Sequence, residues 1–148
     1  PVVILRPFAF VGPYQSLELP WAVTDFMRDS LRGGPIRIMG DGATVRSILY
    51  AADFAYAVLS ILARGKTQTT YHVGSDEAVD LLTLARLIAG HFTPMPEIRT
   101  GLGQAGHERT RLVPSIQRLR NDIGFSPRFT VASALERSLE WHRMMERG

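Results

Sequence analysis

Arg46 is the residue of this chain whose type and surroundings point most clearly to chemistry. It follows a Gly40-Asp41-Gly42 turn, and the short connection Ser-Ile-Leu leads from it to Tyr50. A guanidinium on a short, rigid connection is a good receptor for a diphosphate, because its planar fork donates two parallel hydrogen bonds to one anion. We therefore predict that Arg46 binds an anionic ligand.

Asp53 follows Tyr50 by three positions and begins an apolar segment. Its position suits a helix cap, and no acidic partner for acid–base chemistry stands close to it in the sequence. We predict that Asp53 caps a helix, and we assign no catalytic residue. The chain has no cysteine, which excludes disulfides, thiolate catalysis and cysteine-ligated zinc, and we assign no metal ligand.

Composition favours a globular protein of about one domain. The 148 residues are 45% hydrophobic and 21% charged, and the net charge is +3. Lys66 is the only lysine among the 17 basic residues, and the arginines are spread along the chain. A nucleic-acid-binding protein would concentrate them on one face, so we expect no nucleic-acid partner. No apolar run is long enough to cross a bilayer, and no signal peptide is recognisable, so we expect no membrane partner and a cytoplasmic location.

The hydrophobic pattern alternates between short strands and amphipathic helices, which predicts an α/β fold. Strands are expected at 2–5, 36–39, 70–73 and 97–100. Helices are expected at 19–31, at 53–64 with Gly65 as C-cap, after an Asp80 cap, at 115–123 before Gly124, and at 131–145 after a Thr130 cap. The helix at 53–64 is apolar nearly all round, so we expect it in the core.

The first strand suggests that the chain is part of a larger protein. Residues 2–5 form a continuous apolar run, which is typical of a parallel-sheet strand buried on both faces. Such a strand needs parallel neighbours, each reached through a crossover of a dozen or more residues. Because it begins at residue 2 without an initiator methionine, we expect a C-terminal portion of a longer chain.

Five blocks of sequence form a further pattern. They are Arg6-Pro7-Phe8-Ala9-Phe10-Val11-Gly12-Pro13, the segment 40–53, Tyr71-His72-Val73-Gly74-Ser75, the loop 101–111, and the ending with Ile123-Gly124-Phe125-Ser126-Pro127 and Trp141. Together they resemble the C-terminal half of the NAD-dependent nucleotide-sugar epimerases and dehydratases, the extended branch of the short-chain dehydrogenase/reductase family. The resemblance implies the C-terminal part of a Rossmann-type parallel sheet plus a small α/β substrate-binding lobe, with residues 1–148 as the substrate-binding portion.

The resemblance also implies the cofactor contacts. Phe8 and Ala9, directly after the first strand, would lie near the nicotinamide of NAD or NADP, which the missing N-terminal domain would mainly bind. Ala9 stands where the family has an asparagine, so an amide contact with the substrate phosphates is lost.

For the substrate, the resemblance implies a nucleotide-diphosphate sugar. Arg46 would hold the diphosphate together with a second arginine from the later loop, either Arg109 or Arg111. The base would be flanked by Pro35, Ile36 and Ile38.

The loop at 101–106 also fits the pattern G-x-G-x-x-G. A dinucleotide fingerprint must follow a buried strand and open a helix, whereas here the strand is weak and Pro114 and several charged residues follow. Gly106, His107 and Glu108 match a phosphate-binding loop of the resembled family better, although Gln104 replaces its leading arginine.

The chain lacks two features that the family's hydride chemistry needs, a glycine-rich βα turn and a Tyr-x-x-x-Lys pair. We therefore expect the intact protein to be an NAD-dependent enzyme and this chain alone to be inactive. The alternative is a stand-alone, non-catalytic nucleotide-sugar-binding or interaction module. In either case we expect a homo-oligomer, because an unpaired sheet edge favours self-association.

Overall fold

The computed structural model describes residues 1–102 and 109–146, and these residues form an α/β fold. Their elements in chain order are β1 Val3–Pro7, β2 Phe10–Val11, α1 Ala22–Leu31, β3 Ile36–Met39, β4 Val45–Arg46, β5 Leu49–Tyr50, α2 Ala51–Arg64, β6 Thr69–Val73, β7 Val79–Asp80, α3 Leu81–Ala89, β8 Ile98–Leu102, β9 Arg111–Leu112, α4 Gln117–Ile123 and α5 Val131–Glu146. The predicted fold class and the order of its elements are confirmed.

Most strand pairs are parallel, as expected where helices connect them. β1 pairs with β6, β2 with β5 and β3 with β8, all in parallel. β4 lies between β7, which is antiparallel to it, and β9, which is parallel. The parallel pairs β1–β6 and β2–β5 bring the ends of β1 and β2 next to the segment that carries Arg46.

Two hydrophobic clusters support this arrangement. The larger one joins α1, α3, α5 and β3, with Phe26, Met27, Leu84 and Leu135 among its buried members. The smaller one packs α2 and α4 against β1 and β6 around the fully buried Tyr71. The residues that line the cavity described below stand on elements that both clusters hold in place.

The expectation that β1 is buried on both faces is wrong for this structure. Val3 and Leu5 pack against the smaller cluster, but Ile4, on the opposite face, is 50% exposed. Likewise α2 is not a core helix all round, because Leu62 is 83% exposed and Leu59 is also exposed. Both elements bury one face and leave an apolar face open, so the apolar runs gave the correct elements and overestimated their burial.

The prediction that Asp53 caps a helix is also wrong. α2 begins at Ala51, and Tyr50 is its N-cap residue without a side-chain hydrogen bond. Asp53 lies in the first turn and is only 2% exposed. Its Oδ2 accepts hydrogen bonds from the backbone N–H groups of Arg128 at 2.8 Å and Phe129 at 3.2 Å. The carboxylate therefore links α2 to the segment before α5.

Three other predicted helix ends, at Asp80, Thr130 and Gly124, are confirmed. Asp80 Oδ1 accepts a hydrogen bond from the backbone N–H of Thr83 at 2.8 Å, at the start of α3. Thr130 Oγ1 accepts one from the N–H of Ser133 at 3.2 Å, at the start of α5. α4 ends at Gly124, whose φ of 71° is a left-handed conformation that glycine adopts at little cost.

The single lysine has a structural contact. Lys66 forms an ion pair with Asp122 of α4, and the buried Tyr71 donates a hydrogen bond from its Oη to the same carboxylate at 3.0 Å. The Tyr71 hydroxyl oxygen in turn accepts a hydrogen bond from the Lys66 backbone N–H at 3.1 Å. These contacts connect the loop after α2, strand β6 and helix α4.

Replacing Asp122 with asparagine should destabilise the protein at neutral pH and have less effect in acid. The hydrogen bond from Lys66, with help from Tyr71, holds the pKa of Asp122 below its ordinary value of 3.8. A carboxyl whose pKa is lowered by folding stabilises the fold above its unfolded-state pKa, and this contribution disappears as the pH falls through the folded pKa. Urea unfolding of both proteins at neutral pH and at a pH well below 3.8, where the folded carboxyl becomes protonated, measures the difference. A difference that stays constant over this range would contradict the assignment.

Candidate functional site

A cavity of about 520 Å³ lies where β1, β2, α1 and α3 approach one another. Among the residues that the structure describes, Arg46 is the one charged member of its lining, and the others are apolar. The lining consists of Pro7, Phe8, Ala9, Phe10, Pro20, Trp21, Ala22, Val23, Arg46, Ile48, Leu81, Leu84 and Leu112. Its volume lies within the range of ordinary small-molecule sites.

The cavity lies at the carboxyl end of β1, where ligands bind in parallel α/β sheets. The connection from β1 to β2 is held by two backbone hydrogen bonds, from Phe8 N–H to the carbonyl of Val73 at 2.8 Å and from Leu49 N–H to the carbonyl of Ala9 at 3.0 Å. Both bonds cross to neighbouring strands, so this wall of the cavity is fixed by the sheet.

Arg46 is held in place by the strand next to it. Its Nη1 donates to the carbonyl of Val45 at 2.9 Å, to Thr110 Oγ1 at 3.0 Å and to the carbonyl of Thr110 at 3.4 Å. In the pairing of β4 with β9, Arg46 stands opposite Leu112, and both residues line the cavity. The predicted anion-binding arginine therefore lies at an apolar cavity with its orientation set by Thr110.

Arg109 and Arg111, the two alternatives for a second arginine, have different surroundings. Arg109 forms an ion pair with Asp41, whose Oδ2 lies 2.9 Å from its Nε and 2.6 Å from its Nη2. The hydrogen bond from the backbone N–H of Ala43 lowers the pKa of Asp41 below its ordinary value, and the hydrogen bond from Arg109 lowers it further. Arg111 is exposed, stands opposite Val45 in β9, and is not among the cavity-lining residues. Arg109 is likewise not among the cavity-lining residues, so the choice between the two arginines stays open.

The placement of β3 disagrees with the expectation for two of the base-flanking residues. Ile36 and Ile38 have no exposed surface and belong to the larger core cluster, so their side chains have no face free for a ligand. Pro35, before them, is partly buried. The outward side chains of the strand are Arg37, which pairs with Asp29, and Met39. Strict alternation along β3 places any side-chain contact with a ligand on these outward residues.

Phe8 and Ala9 both line the cavity, and the Phe8 ring packs against the His72 ring with centroids 5.6 Å apart. The two residues therefore present an apolar wall, which suits the face of an aromatic ring. Their expected contact with a nicotinamide remains a prediction.

Two features of the site were missed by the sequence reasoning. α1 begins at Ala22 rather than at residue 19, so Trp21 stands before the helix, lines the cavity and contacts Phe10 edge-on. An exposed tryptophan just before a helix is a signal that could have identified this wall. Thr110 was also missed, because no local pattern marks a residue that acts through a contact 64 positions away.

Residues 103–108, which hold most of the G-x-G-x-x-G pattern and the matches at Gly106, His107 and Glu108, lie outside the described residues. Among the residues that the structure does describe, no three His, Asp or Glu side chains are grouped so that they could hold a metal ion. The helices in these same ranges are all too short or too polar to cross a membrane.

Comparison with known proteins identifies a family with a similar sequence. The sequence profile of the NAD dependent epimerase/dehydratase family matches residues 1–74, half of the chain. A dTDP-glucose 4,6-dehydratase of Streptomyces niveus is 28% identical over 145 residues, which cover 96% of this chain and 42% of that protein.

Solved structures show the same fold. A UDP-glucose 4-epimerase of Thermotoga maritima with UDP-glucose superposes with a TM-score of 0.83 at 22% identity, over 97% of this chain and 46% of the other. A dTDP-glucose 4,6-dehydratase of Bacillus anthracis in complex with NAD gives a TM-score of 0.81 at 23% identity, over 99% of this chain and 46% of the other.

The fold thus defines an α/β protein of the Rossmann-type class with an apolar cavity at its strand ends. The chain belongs to the NAD-dependent epimerase/dehydratase family. It spans less than half the length of the relatives described above.

Proposed function

We propose that residues 1–148 are the C-terminal, nucleotide-sugar-binding portion of an NAD-dependent nucleotide-sugar epimerase or dehydratase. The observation that carries the proposal is the apolar cavity at the end of β1 with Arg46 as the charged group in its lining. A ligand that combines a flat, weakly polar ring with a diphosphate matches this combination. The relatives include a dTDP-glucose dehydratase and a UDP-glucose epimerase, and this supports the same class of ligand.

In this proposal Arg46 binds the diphosphate. Thr110 and the carbonyl of Val45 hold its Nη1, which leaves other guanidinium N–H groups to donate to phosphate oxygens. The orientation is set before the ligand arrives, so less conformational entropy is lost on binding. Arg109 supplies the second positive charge, and Trp21 and Phe10 offer aromatic faces to the ligand's ring.

NAD or NADP fits the apolar wall formed by Phe8 and Ala9, which would contact the nicotinamide. When bound, the cofactor supplies the hydride acceptor for oxidation of the sugar. Ala9 has no side-chain donor, so the amide contact with the substrate phosphates is lost here and the arginines supply the positive charge. No tyrosine of the chain is followed four positions later by lysine, so we propose that residues 1–148 alone bind the nucleotide and do not turn over the sugar.

Titration calorimetry with dTDP and with UDP tests the proposal. We expect binding of at least one of them, and a loss of tenfold or more in affinity for Arg46→Gln, because a charge-assisted hydrogen bond to phosphate is worth about 1.5–3 kcal/mol. Arg99→Gln is the matched control, since Arg99 is an exposed arginine of β8 that pairs with Glu97 and does not line the cavity.

We expect Arg99→Gln to change the affinity by less than about twofold, as is usual for exposed ion pairs. Failure of the wild-type chain to bind either nucleotide would contradict the proposal. So would equal losses in the two variants, because the charge at Arg46 would then act only through the overall field of the protein.

A further inference from the structure

Asp41 lies in the turn that leads to Arg46, and its two carboxylate oxygens have separate partners. Oδ1 accepts a hydrogen bond from the backbone N–H of Ala43 at 3.0 Å, which shapes the turn. Oδ2 binds the guanidinium of Arg109 through Nε and Nη2. One oxygen therefore accepts a hydrogen bond from the backbone of the turn, and the other forms an ion pair with an arginine that is distant in sequence.

The Arg109 segment is joined to the Arg46 segment at several points. The backbone N–H of Val45 donates to the carbonyl of Thr110 at 2.9 Å, and Arg46 contacts both the carbonyl and the hydroxyl of Thr110. Arg109 is the residue directly before Thr110. Thr110 therefore places the backbone next to Arg109 against the segment that carries Arg46.

The contact between Asp41 and Arg109 resembles the one that a phosphate would make. A carboxylate and a phosphate both accept hydrogen bonds from the two N–H groups on one side of a guanidinium. Both side chains are exposed, so the ion pair is weak and can be exchanged. A diphosphate carries more charge and more acceptor oxygens than Asp41, which favours it in that exchange.

We propose that Asp41 is an internal competitor for Arg109 and thereby sets the affinity of the diphosphate site. In the free protein the Asp41 carboxylate occupies the guanidinium, and a phosphate group of the ligand displaces it. Asp41 thus lowers the affinity for the ligand without binding the ligand itself. This inference rests on the proposed function, because it requires the diphosphate to bind beside Arg46.

Calorimetry with inorganic pyrophosphate and with dTDP or UDP tests the inference. Asp41→Asn keeps an oxygen for the Ala43 N–H and removes the charge, so we expect binding about two- to fivefold tighter than in the wild type. Asp41→Glu keeps a competing carboxylate and should leave the affinity near that of the wild type. A merely structural role for Asp41 would not produce tighter binding.

Asp76→Asn is the matched control, because Asp76 is another partly exposed aspartate that pairs with one arginine, Arg120, outside the cavity lining. We expect no change in affinity there. The Asp41→Asn change is also made in an Arg109→Gln background, where its gain should disappear. A gain that persists without Arg109, or a similar gain for Asp76→Asn, would reduce the effect to overall charge and overturn the inference.

The two proposals fail in different ways. If wild-type protein and Asp41→Asn both fail to bind pyrophosphate, dTDP and UDP, the proposed function is wrong and the competitor role falls with it. If the wild type binds and Arg46→Gln weakens binding, but Asp41→Asn brings no gain, only the competitor role is overturned.

Discussion

Replacing Asp53 with alanine is expected to lower the free energy of unfolding by about 2–4 kcal/mol, because two backbone N–H groups lose a charged hydrogen-bond partner. Those groups belong to Arg128 and Phe129, and the carboxylate that satisfies them is 2% exposed. The first turn of α2 adds a favourable field for a negative charge at this position. Urea unfolding of the wild type and the variant measures the loss.

Asp25→Ala is the matched control for this change. Asp25 also stands in the first turn of a helix, α1, but it is partly exposed and its recorded hydrogen bond is with the Arg28 side chain. We expect a loss below about 1 kcal/mol there, as is usual for surface ion pairs. Losses of similar size in the two variants would mean that Asp53 contributes only a helix-terminus charge and does not hold the 128–129 segment.

The contact of Asp53 illustrates what sequence could and could not provide for the fold. Helix α2, its Gly65 end and the caps at Asp80 and Thr130 follow from local rules, because each cap bonds a backbone group within a few residues. The partners of Asp53 lie 75 and 76 positions away. A short-range pattern carries no information about such a contact, and for Asp53 it predicts a helix cap instead.

The same distinction between local patterns and distant contacts applies to the residues of the candidate site. Arg46, Phe8 and Ala9 were identified from blocks next to strand ends, and all three line the cavity. The choice between Arg109 and Arg111 stays open, because neither is among the described residues that line the cavity. Ile36 and Ile38 lie on a strand as predicted, but alternation alone does not say which face of that strand points to the core.

Burial was the property that sequence predicted least well, and this has a physical consequence. β1 pairs with β6 over five residues from Val3 to Pro7, and within the described residues this is its only strand partner. Ile4 is half exposed, and Val2 beside it is exposed as well. A strand with free backbone groups and exposed apolar side chains is a template for pairing with another chain.

We therefore propose that residues 1–148, expressed alone, self-associate through β1, and we expect Ile4→Lys to convert the associated form into monomer. A lysine on an edge strand opposes pairing, because a second strand would have to bury its charge. Sedimentation velocity over a range of protein concentrations measures the change.

Leu62→Lys is the control for self-association through β1. It removes a more exposed apolar side chain, but from helix α2, where no backbone hydrogen bonds are free for pairing. If β1 is the contact, Leu62→Lys stays associated while Ile4→Lys does not. If Leu62→Lys dissociates and Ile4→Lys does not, the helix face is the contact and the strand edge is not. Association by either route would bury apolar surface, which stabilises the associated form by roughly 25 cal/mol per Å². A wild-type chain that remains monomeric at every concentration would contradict both routes.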